Sequence, residues 1–142
     1  MLKITDAYAT IPAQDIKRAR QFYEQKLGLQ PSEEMPDGGV IYKVGQTGFL
    51  LFQSMGKPSG DHTQLGINVE DLNSAVAELK SNGVKLEEYD YPNFKTVNGI
   101  VDMADGSKGA WFKDSEGNLI AVNQMARTAA GASSTSGQST SR

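Results

Sequence analysis

Apolar and polar residues alternate through the opening segment "ITDAYATIPA". Ala7, Ala9 and Ile11 fall on one side, and Tyr8, Thr10 and Pro12 on the other. A period of two predicts a half-buried strand. In "IKRARQFYEQKL" the spacing changes: Ile16, Ala19, Phe22, Tyr23 and Leu27 recur at helical intervals. Asp15 stands where an N-cap belongs, and Gly28 where a left-handed residue closes the last turn. Then follow "LQPSEEM", the turn "PDGG", "VIYKV", the turn "GQTG" and "FLLFQS". These predict three short strands joined by tight turns.

The same order returns. "HTQLGINV" reads as a strand with Leu65, Ile67 and Val69 on one face. "DLNSAVAELKSNG" reads as a helix capped by Asp71, with Leu72, Ala75, Val76 and Leu79 as its buried stripe. "VKLEEYD" is expected to be a strand, and "GAWFKD" and "NLIAVNQ" a hairpin across "SEG". Superposing Asp15 on Asp71 matches Ile11 to Ile67, Ile16 to Leu72 and Ala19 to Ala75, so the chain reads as a duplicated module. Module one is expected over 4–54 and module two over 62–124, within a single domain of 1–125. The copies differ at 91–108, where "YPNFKTVNGIVDMADGSK" is longer than its counterpart; it is a candidate lid or an extra hairpin around "ADGS". The segment 126–142, rich in Ser, Thr, Gly and Ala, is expected to be a disordered tail.

Composition narrows the function. The chain has 142 residues, no cysteine and a net charge of −3 with the two signs interspersed. No apolar run spans a bilayer, and no basic stripe suits nucleic acid. Thiol chemistry and disulfides are excluded, which suits a cytoplasmic protein. Neither a secretory leader nor a nucleophile elbow is visible. A small molecule or a protein partner is left as the expected ligand.

The two modules, with "DIKRARQFYEQKLGL" in the first and "FKDSEGNLIAV" closing the second, resemble the vicinal oxygen chelate superfamily. That group includes glyoxalase I, extradiol dioxygenases, fosfomycin-inactivating thiol transferases and bleomycin-binding resistance proteins. The resemblance runs from about residue 4 to 124. It implies an α+β fold of two βαβββ modules whose curved mixed sheets form a cup, often completed by homodimerisation. In the metal-dependent members, ligands project inward from the first and last strands of each module. Carried onto this sequence, those positions hold Tyr8, Leu51, Gln64 (or His62, at a slightly longer spacing) and Ala121. Leu51 and Ala121 have no donor atom, Gln64 is a weak neutral donor, and His62 is the chain's one imidazole. Divalent ions need three or more good donors, so the metal count fails unless Asp102 or Asp105 swings in. No cofactor is expected, and a divalent metal is the weaker alternative.

Strand alternation then assigns an inward set. Tyr8, Thr10, Leu51, Gln53, His62, Gln64, Asn68, Ala121 and Asn123 are expected to line a ligand site. Phe94 and Trp111, with Tyr42, Tyr89 and Tyr91, offer flat surfaces to an aromatic ligand or, equally, fill core. The favoured reading is metal-free binding of a small, partly aromatic or hydrophobic molecule, with toxin or antibiotic sequestration as one use. The alternative is a glyoxalase-like lyase or isomerase, metal-dependent or moving protons through His62 or Tyr8.

Overall fold

The computed structural model describes residues 1–126. The expected disordered tail therefore lies outside the described residues, apart from Ala126. The chain divides into two compact units, each built on a four-stranded mixed sheet with helix on one face.

The first unit comprises Met1–Ser59 and Asp114–Asn118. Strand β1 (Ala9–Ala13) leads into helix α1 (Ile16–Gln21), then β2 (Pro31–Glu34), β3 (Val40–Val44) and β4 (Thr47–Gln53), in the sheet order β1-β4-β3-β2. The parallel β1–β4 pair follows from the helical crossover, and the antiparallel pairs from the tight turns. Asp15 caps α1, its carboxylate accepting from the Arg18 N–H at 3.1 Å. The helix then widens into a π-helical turn over Phe22–Lys26. Phe22 and Tyr23, three and four residues after Ala19, are both buried from this turn. Gly28 (φ 76°) closes the helix as expected.

Register fixes the faces of this sheet. Ile11 pairs with Leu51, and Leu51 with Val40; Phe49 pairs with Tyr42. These five and Ala13 are buried, and the Tyr23 ring lies 5.5 Å from Phe49 and 6.0 Å from Tyr42, so this is the face that α1 covers. The opposite face carries Thr10, Pro12, Ile41, Leu50 and Phe52, partly open to solvent.

The "DSEGN" turn between the last two strands belongs to this unit and ties the closing "KDSEGN" (KDxEGN) to the helix end "FYEQKLG" (FYxxxLG). Asp114 Oδ2 accepts from the Tyr23 hydroxyl at 2.5 Å and from Asn118 Nδ2 at 2.8 Å, and Oδ1 takes the N–H groups of Glu116 and Asn118. Asn118 Nδ2 also donates to the Pro12 carbonyl at 3.0 Å. Arg18 holds Glu116 through two bonds, of 2.7 and 3.0 Å, and the Asp15 N–H donates to the same carboxylate. The Arg18 hydrogen bonds, outweighing burial, keep the Glu116 carboxyl below the usual range. Burial, reinforced by the Asp114 charge, pushes the Tyr23 hydroxyl upward, so it stays a donor.

The second unit comprises Gly60–Lys113 and the chain from Leu119. It holds β5 (Thr63–Asn68), α2 (Leu72–Ser81), β6 (Asp90–Tyr91), β7 (Phe94–Lys95), β8 (Val101–Asp102), β9 (Lys108–Lys113) and β10 (Leu119–Gln124). Its sheet order, β5-β10-β9-β8, repeats that of the first unit. Asp71 caps α2 as expected, and Gln124 Oε1 accepts the Leu72 N–H at 2.8 Å.

Two expectations change. β1 starts at Ala9, and the apolar residues ahead of it, Met1, Leu2 and Ile4, are exposed. "VKLEEYD" is not a continuous strand. Leu86 bridges to Phe112 and the Glu87 N–H donates to the Trp111 carbonyl, then the chain leaves the sheet and rejoins β9 at Val101. The insertion therefore interrupts an edge strand. It folds into the β6–β7 hairpin, a tight turn at 97–100, and the turn at 103–107 that leads into β9. Among the described residues no helix is long and apolar enough to cross a membrane.

Candidate functional site

In each unit the sheet face turned away from the helix carries part of the candidate set. In the first unit a cleft of about 510 Å³ opens there, lined chiefly by Tyr8, Met35, Ile41, Lys43, Gly48 and Leu50. Tyr8 lies just ahead of β1 and is 66% exposed. Asp6 and Lys43 flank the cleft with opposite charges, and neither has an ion-pair partner among the described residues. Thr10 shares this face, since it pairs with Leu50.

Leu51 does not share it. Its side chain is fully buried on the helix face, beside Ile11 and Val40. The assignment of Leu51 to a ligand site is thus corrected to Leu50, with Phe52 the next residue in phase. "FLLFQ" is apolar in both phases, so only pairing with β1 distinguishes them. Gln53 has the same phase as Leu51 and uses its amide on the Gln14 carbonyl, at 2.7 Å. Tyr42 is also core, its hydroxyl donating to Glu24 at 2.8 Å; burial and that charge raise its pKa.

In the second unit, Leu119, Ala121 and Asn123 pair with Lys113, Trp111 and Gly109, and Val101 pairs with Gly109. Gly66 and Asn68 continue the same face on β5. Val101, Trp111, Leu119 and Ala121 form a small apolar cluster, with Tyr89, Phe94 and Met103 packed on it. The rings of Phe94 and Tyr89 meet Trp111 edge-on, at 5.3 and 5.7 Å. Trp111 and Phe94 thus pack on each other in this structure. Burial and the neighbouring Glu87 charge raise the Tyr89 pKa.

A break in register alters the reading of β5. Thr63 pairs with Leu119 and Leu65 with Ile120, so Gln64 is an extra residue in a β-bulge. The bulge reverses the phase ahead of it. Thr63 is the residue brought onto the Trp111 face, where its hydroxyl accepts from the indole Nε1 at 3.3 Å. Thr63 was missed because alternation counted back from Asn68 skips it. His62 precedes the strand and is exposed.

One polar group on this face is distinctive. Asn123 is 9% exposed, and its side-chain amide makes no hydrogen bond among the described residues. A Cβ placed on Gly109 would lie 3.2 Å from Asn123 Oδ1 and 3.4 Å from Trp111 Cη2. The glycine thus leaves a small recess between the amide and the indole.

The residues do not suit the divalent ion held by metal-dependent proteins of this resemblance. The corrected β4 positions hold Leu50 and Phe52, and the β10 position holds Ala121, none with a donor atom. Among the described residues no three His, Asp or Glu side chains converge. Asp105 is engaged in its own turn, accepting from Ser107 N and Oγ at 2.9 and 2.7 Å.

Comparison with known proteins agrees with this architecture. The Glyoxalase/Bleomycin resistance protein/Dioxygenase superfamily profile matches residues 6–122. No curated protein matches the chain. An integron cassette protein from the mobile metagenome of the Halifax Harbour sewage outfall superposes with a TM-score of 0.66 at 15% identity, covering 86% of this chain and 100% of that one. An antibiotic-binding protein from a Streptomyces species gives 0.60 at 20%, covering 86% and 98%. A fosfomycin resistance protein from Listeria monocytogenes gives 0.65 at 9%, covering 84% and 91%. With its duplicated sheets and a profile match over most of its length, the chain belongs to the Glyoxalase/Bleomycin resistance protein/Dioxygenase superfamily.

Proposed function

We propose that this protein binds a small, partly aromatic or hydrophobic molecule on its open sheet faces, without a metal ion. The observation that carries the reading is the first-unit cleft of about 510 Å³, where Tyr8, Met35, Ile41 and Leu50 supply apolar and aromatic wall and Lys43 and Asp6 supply charge. Apolar lining with few polar groups, at this volume, is the usual character of a small-ligand site. The family's carboxylate positions hold apolar side chains, which favours binding over metal-assisted chemistry. The antibiotic-binding and fosfomycin-resistance neighbours make sequestration of a toxic small molecule in the cytoplasm the physiological form of this reading. We also propose a homodimer, supported by the exposed Met1, Leu2, Ile4 and Met55; light scattering of the eluting protein tests it.

The decisive test is a thermal-shift screen of aromatic antibiotics and other hydrophobic small molecules, with calorimetry on each hit. Binding that is weakened by Tyr8→Ala and Leu50→Ala supports the reading. Turnover of a hit that is lost on His62→Ala or Tyr8→Phe replaces it with the lyase alternative. Absence of binding across the screen rejects the cleft as a small-molecule site.

A further inference from the structure

We propose that Phe94 is a displaceable plug, occupying on Trp111 the place of a neutral planar aromatic ligand that would hydrogen-bond the Asn123 amide. The inference rests on the small-molecule reading above but concerns the second unit, and names a ligand class and a gate.

Three observations converge. Asn123 is 9% exposed, and its amide, which still reaches solvent, makes no side-chain hydrogen bond among the described residues. It flanks a recess floored by Gly109 and walled on the other side by the edge of the Trp111 ring. A ligand bearing both a donor and an acceptor would satisfy an amide there. Glu87 stands opposite Trp111 and beside Tyr89, so an anionic ligand is disfavoured at the middle of this face. Lys113 stands at its far end and is exposed, so the ligand is neutral.

The second observation is how the plug is held. The Phe94 ring contacts Trp111, Tyr89 and Tyr91, at 5.3, 5.9 and 6.5 Å. A planar aromatic ligand can offer Trp111 the same edge-to-face or offset contacts that the Phe94 ring makes. The third is the construction of the segment. It leaves β9 after Glu87 and returns at Val101, and its hydrogen bonds are mostly internal. Thr96 closes it, its N–H donating to the Tyr89 carbonyl while its hydroxyl accepts from the Tyr89 N–H and donates to Glu88. One bond reaches outside, from Lys80 Nζ to the Asn98 carbonyl at 3.4 Å. Asn98 and Gly99 take positive φ where the segment turns back, the natural pivot. The segment can swing as a body with few hydrogen bonds lost.

Trp111 is the only tryptophan, so its fluorescence reports this face directly. The full-length protein is titrated with naphthalene carboxamide, naphthalene carboxylate and methylnaphthalene, with calorimetry alongside. Phe94→Ala is expected to bind the carboxamide about tenfold more tightly than the parent protein, and Asn123→Leu in that background to return about tenfold. The carboxylate and methylnaphthalene should bind more weakly than the carboxamide. Phe94→Leu, which keeps apolar cover, guards against a folding defect; it should bind between the parent and Phe94→Ala. If Phe94→Ala binds no better than the parent while parent binding is lost on Tyr8→Ala, the plug is refuted and the first-unit cleft stands. If folded Phe94→Ala binds none of the probes, the plug is likewise refuted, and the broader reading rests on the ligand screen alone.

Discussion

Removing the Asp114 carboxylate should cost more stability than any other single hydrogen-bonding change in the first unit. Asp114 is 6% exposed and accepts four hydrogen bonds, from the Tyr23 hydroxyl, Asn118 Nδ2 and the N–H groups of Glu116 and Asn118. Asp114→Ala strands most of these donors in a buried setting. An orphaned buried donor costs about 1–3 kcal/mol, and allowing for partial relaxation the whole loss is about 3–5 kcal/mol. Tyr23→Phe removes a single donor and leaves the carboxylate with three, so its cost is about 1.5–3 kcal/mol as a bond to a charged group. In the Asp114→Ala background the same change removes an orphan and should be neutral or stabilising. The coupling between the two substitutions should therefore exceed about 1 kcal/mol. Urea unfolding followed by far-ultraviolet circular dichroism supplies the cycle, with the m-value checked for constancy. Additive effects, with Tyr23→Phe costing the same in both backgrounds, would refute the network as the link between helix and turn.

Four further outcomes follow from the geometry. Arg18 depresses the Glu116 pKa, so this contribution is present above the unfolded pKa of about 4.3 and is lost as pH falls through the lower folded value; Arg18→Met should flatten the acid limb of a stability profile below about pH 4. Leu51→Ala should cost about 2–5 kcal/mol, whereas Leu50→Ala should cost distinctly less and act instead on ligand binding; equal stabilities by chemical unfolding would contradict the face assignment. Gly99→Ala should destabilise by about 1–3 kcal/mol in a thermal melt, because φ is +84° and the new Cβ would stand 2.8 Å from Leu86 Cβ. Protein purified without chelators should carry well under one divalent ion per chain by mass spectrometry; near-stoichiometric metal would overturn the metal-free proposal.

The fold was legible because its signals are local. Asp15 and Asp71 announce their helices through caps, the strands of the first unit announce themselves by alternation, and the repeat of order points to duplication. What was illegible depends on pairing. "FLLFQ" satisfies either phase, and only the Thr10–Leu50 and Ile11–Leu51 register decides which side chains open to solvent. The bulge at Gln64 has no sequence mark, yet it exchanges His62 for Thr63 beside Trp111. "VKLEEYD" alternates well enough for a strand, but Tyr89 spends its backbone groups on Thr96, so the pattern outlasts the pairing. Phe22 and Tyr23 fit the helix stripe three and four residues after Ala19, and nothing in that spacing announces the π-helical turn they form.

The residues that mark this family and the residues that would carry its metal chemistry are different sets, and here they part company. "FYxxxLG" and "KDxEGN" meet through Tyr23 and Asp114, a contact that joins helix to turn and touches neither open sheet face. Their job is architectural, so their presence identifies the fold whatever the site does. The positions that decide chemistry are single side chains on the open faces, and those can change without disturbing the network. Leu50, Phe52 and Ala121 occupy such positions: each fits a pleated sheet surface, and none can hold an ion. Asn123 is the opposite case, a polar group on an apolar face with no side-chain hydrogen bond among the described residues. An amide open to a partner beside the recess at Gly109 and the one tryptophan is the physical reason to look for a ligand there.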